Sequence, residues 1–264
     1  MMPTITVITP VHEGGHAYIR ELHECLRGQK LPAGWRLEWV VQEDGRTGKP
    51  LEAIPDVPWI SKGAGRWGGA AQARTLGLAR ATGTLLRCID CDDLLPDQMS
   101  LARDVGILEA NPAYGWTVAP CLDLHADGHL ERGPYDPSPG PLPQRALLDG
   151  ARRGELPVMG TTLTAHTDLV RLVGGWPAIP AFEDAALLLF CEAVSRGWMQ
   201  PEPGELYRKH AGQHTVTAAY HDEEEKRLRQ EIVLDRAERL HASGWRWQPT
   251  ASPGTSRSGS DKQS

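Results

Sequence analysis

The sequence predicts an α/β fold in which a mostly parallel sheet is flanked by helices. Three observations support this prediction. Short β-rich runs alternate with helical patterns through the first half of the chain, which is the sequence form of repeated βαβ units. Acidic residues directly follow two of the β-rich runs. The chain has 264 residues, of which 40% are hydrophobic, and this is enough to bury a large core.

The elements of the first half follow from local patterns. Runs of apolar and β-branched residues predict strands at 4–9, 37–41, 59–60, 85–89 and 117–119. Helical spacing and composition predict helices at 18–26, 70–81 and 98–109. Pro10 ends the first strand because it has no N–H to donate, and the Asn111-Pro112 pair ends the third helix.

The second half is less regular. Residues 133–143 contain five prolines, which exclude a helix interior or a central strand and therefore predict a surface loop. A strand at 157–165, a helix with an acidic start at 182–195 and a short strand or extended segment at 206–210 follow. Together they indicate a second half-domain.

The C-terminal region predicts a charged helix followed by a tail. Residues 221–242 place opposite charges four apart, as in Glu223 and Arg227, and this helix serves packing or self-association. The end of the chain is rich in Ser, Gly and Pro and is too polar to bury, so we expect it to be disordered.

The charge balance excludes some classes of partner. The chain has 28 Lys and Arg against 34 Asp and Glu, a net charge of −6, whereas nucleic acids are held by basic surfaces. We therefore expect no nucleic-acid partner. The sequence shows neither a membrane-length apolar run nor a signal peptide, and its five cysteines are scattered. These features predict a cytoplasmic protein with reduced thiols and no integral membrane segment.

Two short motifs match metal or thiol signatures without the context that these need. His12 to His16 reads HExxH, but a β-rich strand precedes it and two glycines lie inside it, whereas a zinc site of this kind needs a helix. A strand-to-helix turn that approaches a ligand is the better interpretation. Cys88 and Cys91 have CxxC spacing, but no second pair accompanies them, and Cys88 belongs to a buried strand pattern.

The strongest signal is the acidic run Asp90-Cys91-Asp92-Asp93, directly after the strand predicted at 85–89. Its carboxylates repel one another unless a cation neutralises them, and hard oxygen ligands select Mg²⁺ or Mn²⁺. The alternative is an acidic first turn of the next helix, and by itself the run does not decide between the two. Asp44 follows the strand at 37–41 at the same sheet edge, so a nucleotide fits between them, although an Asp-Gly turn explains Asp44 equally.

These residues resemble the inverting family 2 glycosyltransferases, which have the Rossmann-like GT-A fold. The resemblance spans roughly residues 4–215 and rests on the order of the matching segments. They are TITVITPV from Thr4, VVQEDG from Val40, GGAAQARTLGLAR from Gly68, LRCIDCDD from Leu86, FED from Phe182 and YRKH from Tyr207. Departures from the family pattern at His12-Glu13, Glu43 and 46–48 leave the nucleobase open.

The resemblance implies a role for each matching residue. Asp184 would be the catalytic base, and Asp90 and Asp92, with His210, would hold the metal and the donor diphosphate. Donor-contacting positions would be Pro10, Val11, Glu13, Asp44, Arg74, Asp90 and Cys91. Among the nine tryptophans, Trp67 and Trp176 are the two nearest to the predicted donor and acceptor regions, while most of the others belong in the core.

The resulting expectation is a metal-dependent inverting glycosyltransferase. It would use Mn²⁺ or Mg²⁺ and a nucleoside diphosphate sugar, with UDP as the expected carrier, and its acceptor would be a small molecule, a natural product or a glycan. The alternatives are a sugar-phosphate nucleotidyltransferase and a non-catalytic nucleotide-sugar-binding protein. The GT-A domain would span 1–220, with a nucleotide half at 1–125 and an acceptor half at 126–220, a helical extension at 221–245 and a disordered tail at 246–264.

Overall fold

The computed structural model describes residues 2–133, 136–213, 215 and 219–249. The strands within these residues are β1 (Thr4–Val11), β2 (Arg36–Asp44), β3 (Ile60–Gly65), β4 (Leu85–Cys88), β5 (Tyr114–Val118), β6 (Cys121–Leu124), β7 (Leu130–Arg132), β8 (Gly140–Pro141), β9 (Thr164–His166), β10 (Arg196–Met199) and β11 (Glu205–Arg208). The helices are α1 (Ile19–Arg27), α2 (Lys49–Glu52), α3 (Ala70–Leu78), α4 (Ser100–Ala110), α5 (Ala146–Arg152), α6 (Thr167–Leu172), α7 (Glu183–Val194) and α8 (Glu223–Ala242).

The main sheet has the strand order β3-β2-β1-β4-β9-β5-β10-β8. The pairs β3/β2, β2/β1, β1/β4 and β5/β10 are parallel. β9 is antiparallel to both of its neighbours, β4 and β5, and β8 is antiparallel to β10. The predicted fold class, a mostly parallel sheet flanked by helices, is confirmed.

Helices cover both faces of the sheet because its central strands are apolar on both sides. In β1, Ile5 and Val7 pack with α1 and α4, whereas Ile8 packs with α3 and α7 on the opposite face. Successive strand residues point to opposite faces, so a continuous apolar run marks a strand buried on both sides. This packing leaves the carboxyl edge of β1, β2 and β4 as the place where polar groups meet.

A small second sheet with the order β11-β6-β7 lies beside that edge. β11 pairs parallel with β6, and Leu206 of β11 forms a bridge with Leu94, directly after the acidic run. The second sheet therefore brings the segment around His210 to the carboxyl edge of the main sheet. The sequence predicted β11 but neither β6 nor β7.

The structure corrects three details of the predicted organisation. Of the strand predicted at 157–165, only Thr164 and Ala165 lie in a strand, and Gly160–Thr162 form a 3₁₀ turn. The proline-rich segment includes a strand, β8, while residues 134 and 135 lie outside the described part. Trp247, in the segment predicted as a disordered tail, is 4% exposed and its backbone N–H donates to the Val194 carbonyl at 2.9 Å.

The charged C-terminal helix is present as α8. It packs against α7 through Val233 and Ala237, so one face of it belongs to the core. The predicted tail from residue 250 on lies outside the described residues. Within the described part of the chain, no helix has the length and apolar character needed to cross a membrane.

Candidate active site

The acidic run lies on the turn after β4, at the carboxyl edge of the parallel strands. The turn is closed by the Asp93 N–H, which donates to the Asp90 carbonyl at 3.2 Å. Open α/β sheets bind ligands at this edge because the strands end there and the loops leave a crevice. The structure therefore places the strongest sequence signal where a ligand site is expected.

Arg74 of α3 is a buried cation shared by two acidic residues. Its side chain is 3% exposed, and its Nη2 donates to Asp90 Oδ1 at 2.6 Å while its Nη1 donates to Glu183 Oε1. Its Nε donates to Cys88 Sγ at 3.1 Å. The family resemblance implied that Arg74 supports the phosphate region or the neighbouring turn. In the structure Arg74 binds Asp90 on the acidic turn and Glu183 at the start of α7.

The two carboxyl groups at the start of α7 have different surroundings. Burial raises the pKa of Glu183 to about 7, against the lowering effect of Arg74. Burial likewise raises the pKa of Asp184, and Arg74 again opposes the shift. Asp184 is partly exposed and has no ion-pair partner within the described ranges, whereas Glu183 is paired with Arg74. Glu183 is therefore part of the Arg74 contact.

The first turn of α7 is held against the 3₁₀ turn at Gly160–Thr162. A Cβ atom at Gly160 would lie 2.5 Å from the Asp184 carbonyl carbon and 2.6 Å from the Ala185 nitrogen, so only glycine permits this approach. Phe182, directly before α7, has a φ of 70°, a left-handed conformation that is strained for a non-glycine residue. Both features fix the position of Asp184.

Asp92 and His210 meet although 118 positions separate them in the sequence. The distance from His210 Nε2 to Asp92 Oδ2 is 2.8 Å. The His210 ring packs against Tyr18 with 5.1 Å between ring centroids, and its Nδ1 accepts from the Gly212 N–H at 3.2 Å. The structure thus brings together the carboxylate and the imidazole that the family resemblance assigned to the metal.

Asp93 attaches β11 to the acidic turn. It is 1% exposed, and its Oδ1 accepts from the Arg208 backbone N–H at 2.8 Å, while Arg208 Nε donates to the Asp92 carbonyl at 2.7 Å. Burial raises the pKa of Asp93 well above its ordinary value, and the carboxylates of Glu205, Asp90 and Asp92 raise it further. Asp93 therefore has a structural role, and through it the His210 segment is held next to Asp92.

The acidic residues at the end of β2 bind backbone groups of nearby loops. Asp44 accepts from the Gly68 N–H at 2.7 Å and from the Gly69 N–H at 2.9 Å. Glu43 is 1% exposed and accepts from the Thr47 and Gly48 N–H groups at 2.7 and 3.0 Å. Contact of Asp44 with a nucleoside stays a prediction, because the structure shows its carboxylate fixing the loop before α3.

The remaining predicted donor positions lie around the end of β1. Pro10 and Val11 are buried as the last two residues of that strand. Glu13, in the exposed 3₁₀ turn that follows, forms an ion pair with Lys49. Cys91 is 7% exposed, and burial raises the pKa of its thiol well above the ordinary value. The Cys91 side chain therefore belongs to the core, and contact of this residue with a donor stays a prediction.

Carboxylates of the kind that bind divalent cations lie at this edge of the sheet. Carboxylate oxygens suit Mg²⁺ and Mn²⁺, and Asp92 is partly exposed with the His210 imidazole beside it. Asp90 directs its Oδ1 to Arg74, so the three predicted ligands are not gathered into one cluster. Across residues 2–133, 136–213, 215 and 219–249, no group of three or more His, Cys, Asp or Glu side chains is arranged to hold a metal.

A buried polar network beneath the acidic turn is absent from the sequence predictions. Arg87 of β4 is fully buried and donates to Asp104 Oδ2 at 2.8 Å, and Thr161 donates to Glu205 Oε1 at 2.6 Å. Burial raises the pKa of Glu205 to about 7, and Arg87 lowers it. The available signal was Arg87 itself, because a charged residue inside an apolar strand needs a buried partner.

No protein-family model matches the chain, and no curated protein sequence matches it. Solved structures do match. The structure of residues 1–349 of TarS from S. aureus in complex with UDP-GlcNAc is 16% identical with a TM-score of 0.67, and the match covers 92% of this chain and 73% of that fragment. The same TarS fragment in complex with UDP is 14% identical with a TM-score of 0.64, and the match covers 91% of this chain and 70% of the fragment.

A third structure is the mannosyltransferase PcManGT from Pyrobaculum calidifontis in complex with GDP-Man and Mn²⁺. It is 20% identical with a TM-score of 0.55, and the match covers 92% of this chain and 75% of that one. At such low sequence identity these matches establish the fold alone. The chain has the fold of these GT-A-type glycosyltransferases.

Proposed function

We propose that the protein is a glycosyltransferase that moves a sugar from a nucleoside diphosphate to an acceptor, with inversion at the anomeric carbon. The observation that carries the proposal is the arrangement around Arg74. This residue binds Asp90, on the turn that carries Asp92, and it also binds Glu183, next to Asp184. Asp92 in turn contacts His210, so the group proposed to bind the diphosphate and the separate carboxylate Asp184 are linked through one buried cation, in a fold shared with glycosyltransferases.

Asp184 is the group proposed to remove the proton from the acceptor. It lies in the first turn of α7, where the helix dipole favours the ionised carboxylate that a base requires. Burial raises its pKa, which makes the ionised form a stronger base. Pairing of Glu183 with Arg74 leaves Asp184 as the carboxylate of this turn without an ion-pair partner among the described residues. One carboxylate acting opposite one leaving group is the arrangement of a single displacement, which inverts the anomeric centre.

Asp92 and His210 are proposed to hold the divalent cation, with Asp90 fixed beside them by Arg74. When bound, Mn²⁺ or Mg²⁺ would act as a Lewis acid on the leaving diphosphate. The structure of PcManGT contains GDP-Man and Mn²⁺, and those of TarS contain UDP-GlcNAc or UDP, which supports a nucleoside diphosphate donor. UDP as carrier, the three acceptor classes, a cytoplasmic location and self-association through α8 stay predictions from the sequence.

The test is incubation with a panel of UDP-, GDP- and TDP-linked sugars and Mn²⁺, with product analysis. Release of free nucleoside diphosphate supports sugar transfer, or hydrolysis when no acceptor is added. A parallel reaction with nucleoside triphosphates and sugar 1-phosphates tests the nucleotidyltransferase, which would release pyrophosphate and form the nucleotide sugar. Tight binding of a nucleotide sugar with no product in either reaction would indicate a non-catalytic binder.

The metal assignment has its own measurement. Calorimetry of UDP or GDP binding with and without Mn²⁺ should show that Mn²⁺ strengthens binding to the wild type and not to Asp92→Ala. Asp123→Ala is the control, since Asp123 lies in β6 and pairs with Lys209. An unchanged isotherm for Asp92→Ala would remove Asp92 from the metal site.

A further inference from the structure

Trp67 is a large aromatic side chain left in solvent at the edge of the candidate site. It is 70% exposed, the highest value among the exposed large hydrophobic residues of the described chain. Tryptophan is usually well buried, because its indole has a large apolar surface. By contrast, Trp176, the other tryptophan singled out from the sequence, is 5% exposed and belongs to the core. An indole this exposed in a loop beside the candidate site is therefore available to stack on a ligand.

The loop that carries Trp67 is fixed in place. The next two residues, Gly68 and Gly69, donate their N–H groups to the carboxylate of Asp44, at 2.7 and 2.9 Å. On its other side Trp67 contacts His12 edge to face, with 6.0 Å between ring centroids and an angle of 71° between ring planes. The backbone that follows Trp67 is thus held by β2 and the indole contacts the segment after β1, while most of the indole surface stays open.

The position of Trp67 along the sheet edge identifies the part of the donor that would reach it. The strands lie in the order β3-β2-β1-β4, and Trp67 follows β3, whereas the diphosphate-binding group proposed above follows β4. A nucleoside diphosphate sugar is a linear molecule with the diphosphate in its middle. With the sugar toward Asp184 and the diphosphate at β4, the nucleoside extends across β1 and β2 toward β3.

The acidic residues nearest to this nucleoside position already have backbone partners. Both oxygens of Asp44 accept from the glycine turn, and Glu43 accepts from Thr47 and Gly48. Their hydrogen-bonding capacity toward a base is reduced accordingly. An aromatic face recognises any nucleobase, because every base has a π-face and stacking needs no matching hydrogen-bond pattern.

We infer that Trp67, supported by His12, is the stacking platform for the donor nucleobase and gives the site a weak preference among bases. This inference rests on the proposed function, since it places a nucleoside diphosphate in the site. On this inference Trp67 strengthens the binding of the base and does not contribute to the binding of the diphosphate. It also predicts that UDP and GDP bind with affinities within about 10-fold of each other, as expected for recognition by stacking.

The experiment compares the wild type with Trp67→Ala and Trp67→Phe by calorimetry, with UDP, GDP and pyrophosphate as ligands in the presence of Mn²⁺. Trp67→Ala should weaken UDP and GDP by about 5- to 100-fold each, Trp67→Phe should recover most of that loss, and pyrophosphate, which lacks a base, should be unaffected. Trp245→Ala is the matched control, because Trp245 is also exposed, at 47%, and follows α8.

The outcomes separate this inference from the proposed function. If the wild type binds UDP and GDP and Trp67→Ala binds them equally well, the platform is wrong while the proposed function stands. Loss of pyrophosphate affinity in Trp67→Ala, or a preference of more than about 100-fold for one base in the wild type, also overturns it. If the wild type binds neither nucleotide, both the platform and the proposed donor class fail.

Discussion

The guanidinium of Arg74 and the carboxylate of Glu183 are in direct contact, although 109 positions separate them in the sequence. Because Arg74 also bonds to Asp90 at 2.6 Å, this contact joins the start of α7 to the turn that carries Asp92. Arg74 is therefore a direct side-chain link between the segment that carries Asp184 and the turn that carries Asp92.

Replacing Arg74 by Ala should lower the free energy of unfolding by about 3–5 kcal/mol, because Asp90 and Glu183 lose their shared cation inside the protein. Urea unfolding measures this loss. Arg227→Ala is the control, since Arg227 and its partner Glu231 are exposed, and a change within about 0.5 kcal/mol is expected there. A loss below about 1 kcal/mol for Arg74→Ala would contradict the buried pairing.

Asp184→Asn should reduce sugar transfer by about 10²–10⁴-fold, because the amide cannot accept the acceptor proton. Binding of UDP or GDP with Mn²⁺ should stay close to wild type, since Asp184 is not placed on the donor. Both are measured on the same preparation, by product formation and by calorimetry. Asp127→Asn, at the exposed turn between β6 and β7, should leave both unchanged. Turnover within about 3-fold of wild type would remove Asp184 from the role of base.

Gly160→Ala should displace the first turn of α7, because the new methyl group would lie 2.5 Å from the backbone of Asp184. We expect a loss of about 1–3 kcal/mol in unfolding free energy and a fall of about 10- to 100-fold in turnover. Gly106→Ala offers a matched control in α4, where a Cβ meets no atom within 4 Å. That substitution should raise stability by about 0.5–1 kcal/mol. Equal behaviour of the two variants would show that the close approach at Gly160 has no consequence.

Stability should fall as pH rises through the range in which Glu192 ionises. Burial raises its pKa from 4.5 to about 7, although it accepts from the N–H groups of Leu147 and Leu148. The folded state therefore binds more protons than the unfolded state between these pH values. Because protonated Glu192 is favoured in the folded state, its contribution to stability is present at the lower pH and is lost as pH approaches about 7. The free energy of unfolding then falls by up to about 1.4 kcal/mol per pH unit.

Glu192→Gln should make this decline shallower, because the group that ionises is gone. Urea unfolding between about pH 5 and about pH 7 gives the slope, which is the relevant quantity, since the amide also weakens the contact with α5 at every pH. Glu231→Gln, on the exposed face of α8, should retain the wild-type slope. The same slope in Glu192→Gln as in the wild type would contradict the assignment.

Local patterns were sufficient for the central strands and for the acidic turn. The run before Asp90, which is apolar apart from Arg87, predicts β4 because a strand buried on both faces is mostly apolar. β7 was missed because all three of its residues are exposed and show no apolar alternation. The turn at Gly160 was read as part of a strand because its geometry follows from contact with α7, which has no local signal.

For the candidate site, sequence reasoning named residues but few of the contacts between them. Asp92 and His210 were assigned to one site, and Asp92 Oδ2 lies 2.8 Å from His210 Nε2. The partners of Asp44 were out of reach of sequence reasoning, because they are backbone N–H groups 24 and 25 positions further on. Trp247 was missed because a composition window dominated by Ser, Gly and Pro hides a single buried indole.

The antiparallel strand β9 has a consequence for how the chain folds. It lies between β4 and β5 in the sheet, yet residues 164–166 follow both of those strands by more than 40 positions. During synthesis, β4 and β5 have open edges until β9 emerges, so residues 1–125 cannot complete their sheet alone. A truncation after residue 125 would leave the hydrogen-bonding edge of β4 unpaired, which is a template for aggregation. A fragment in which this edge of β4 is paired therefore has to include β9.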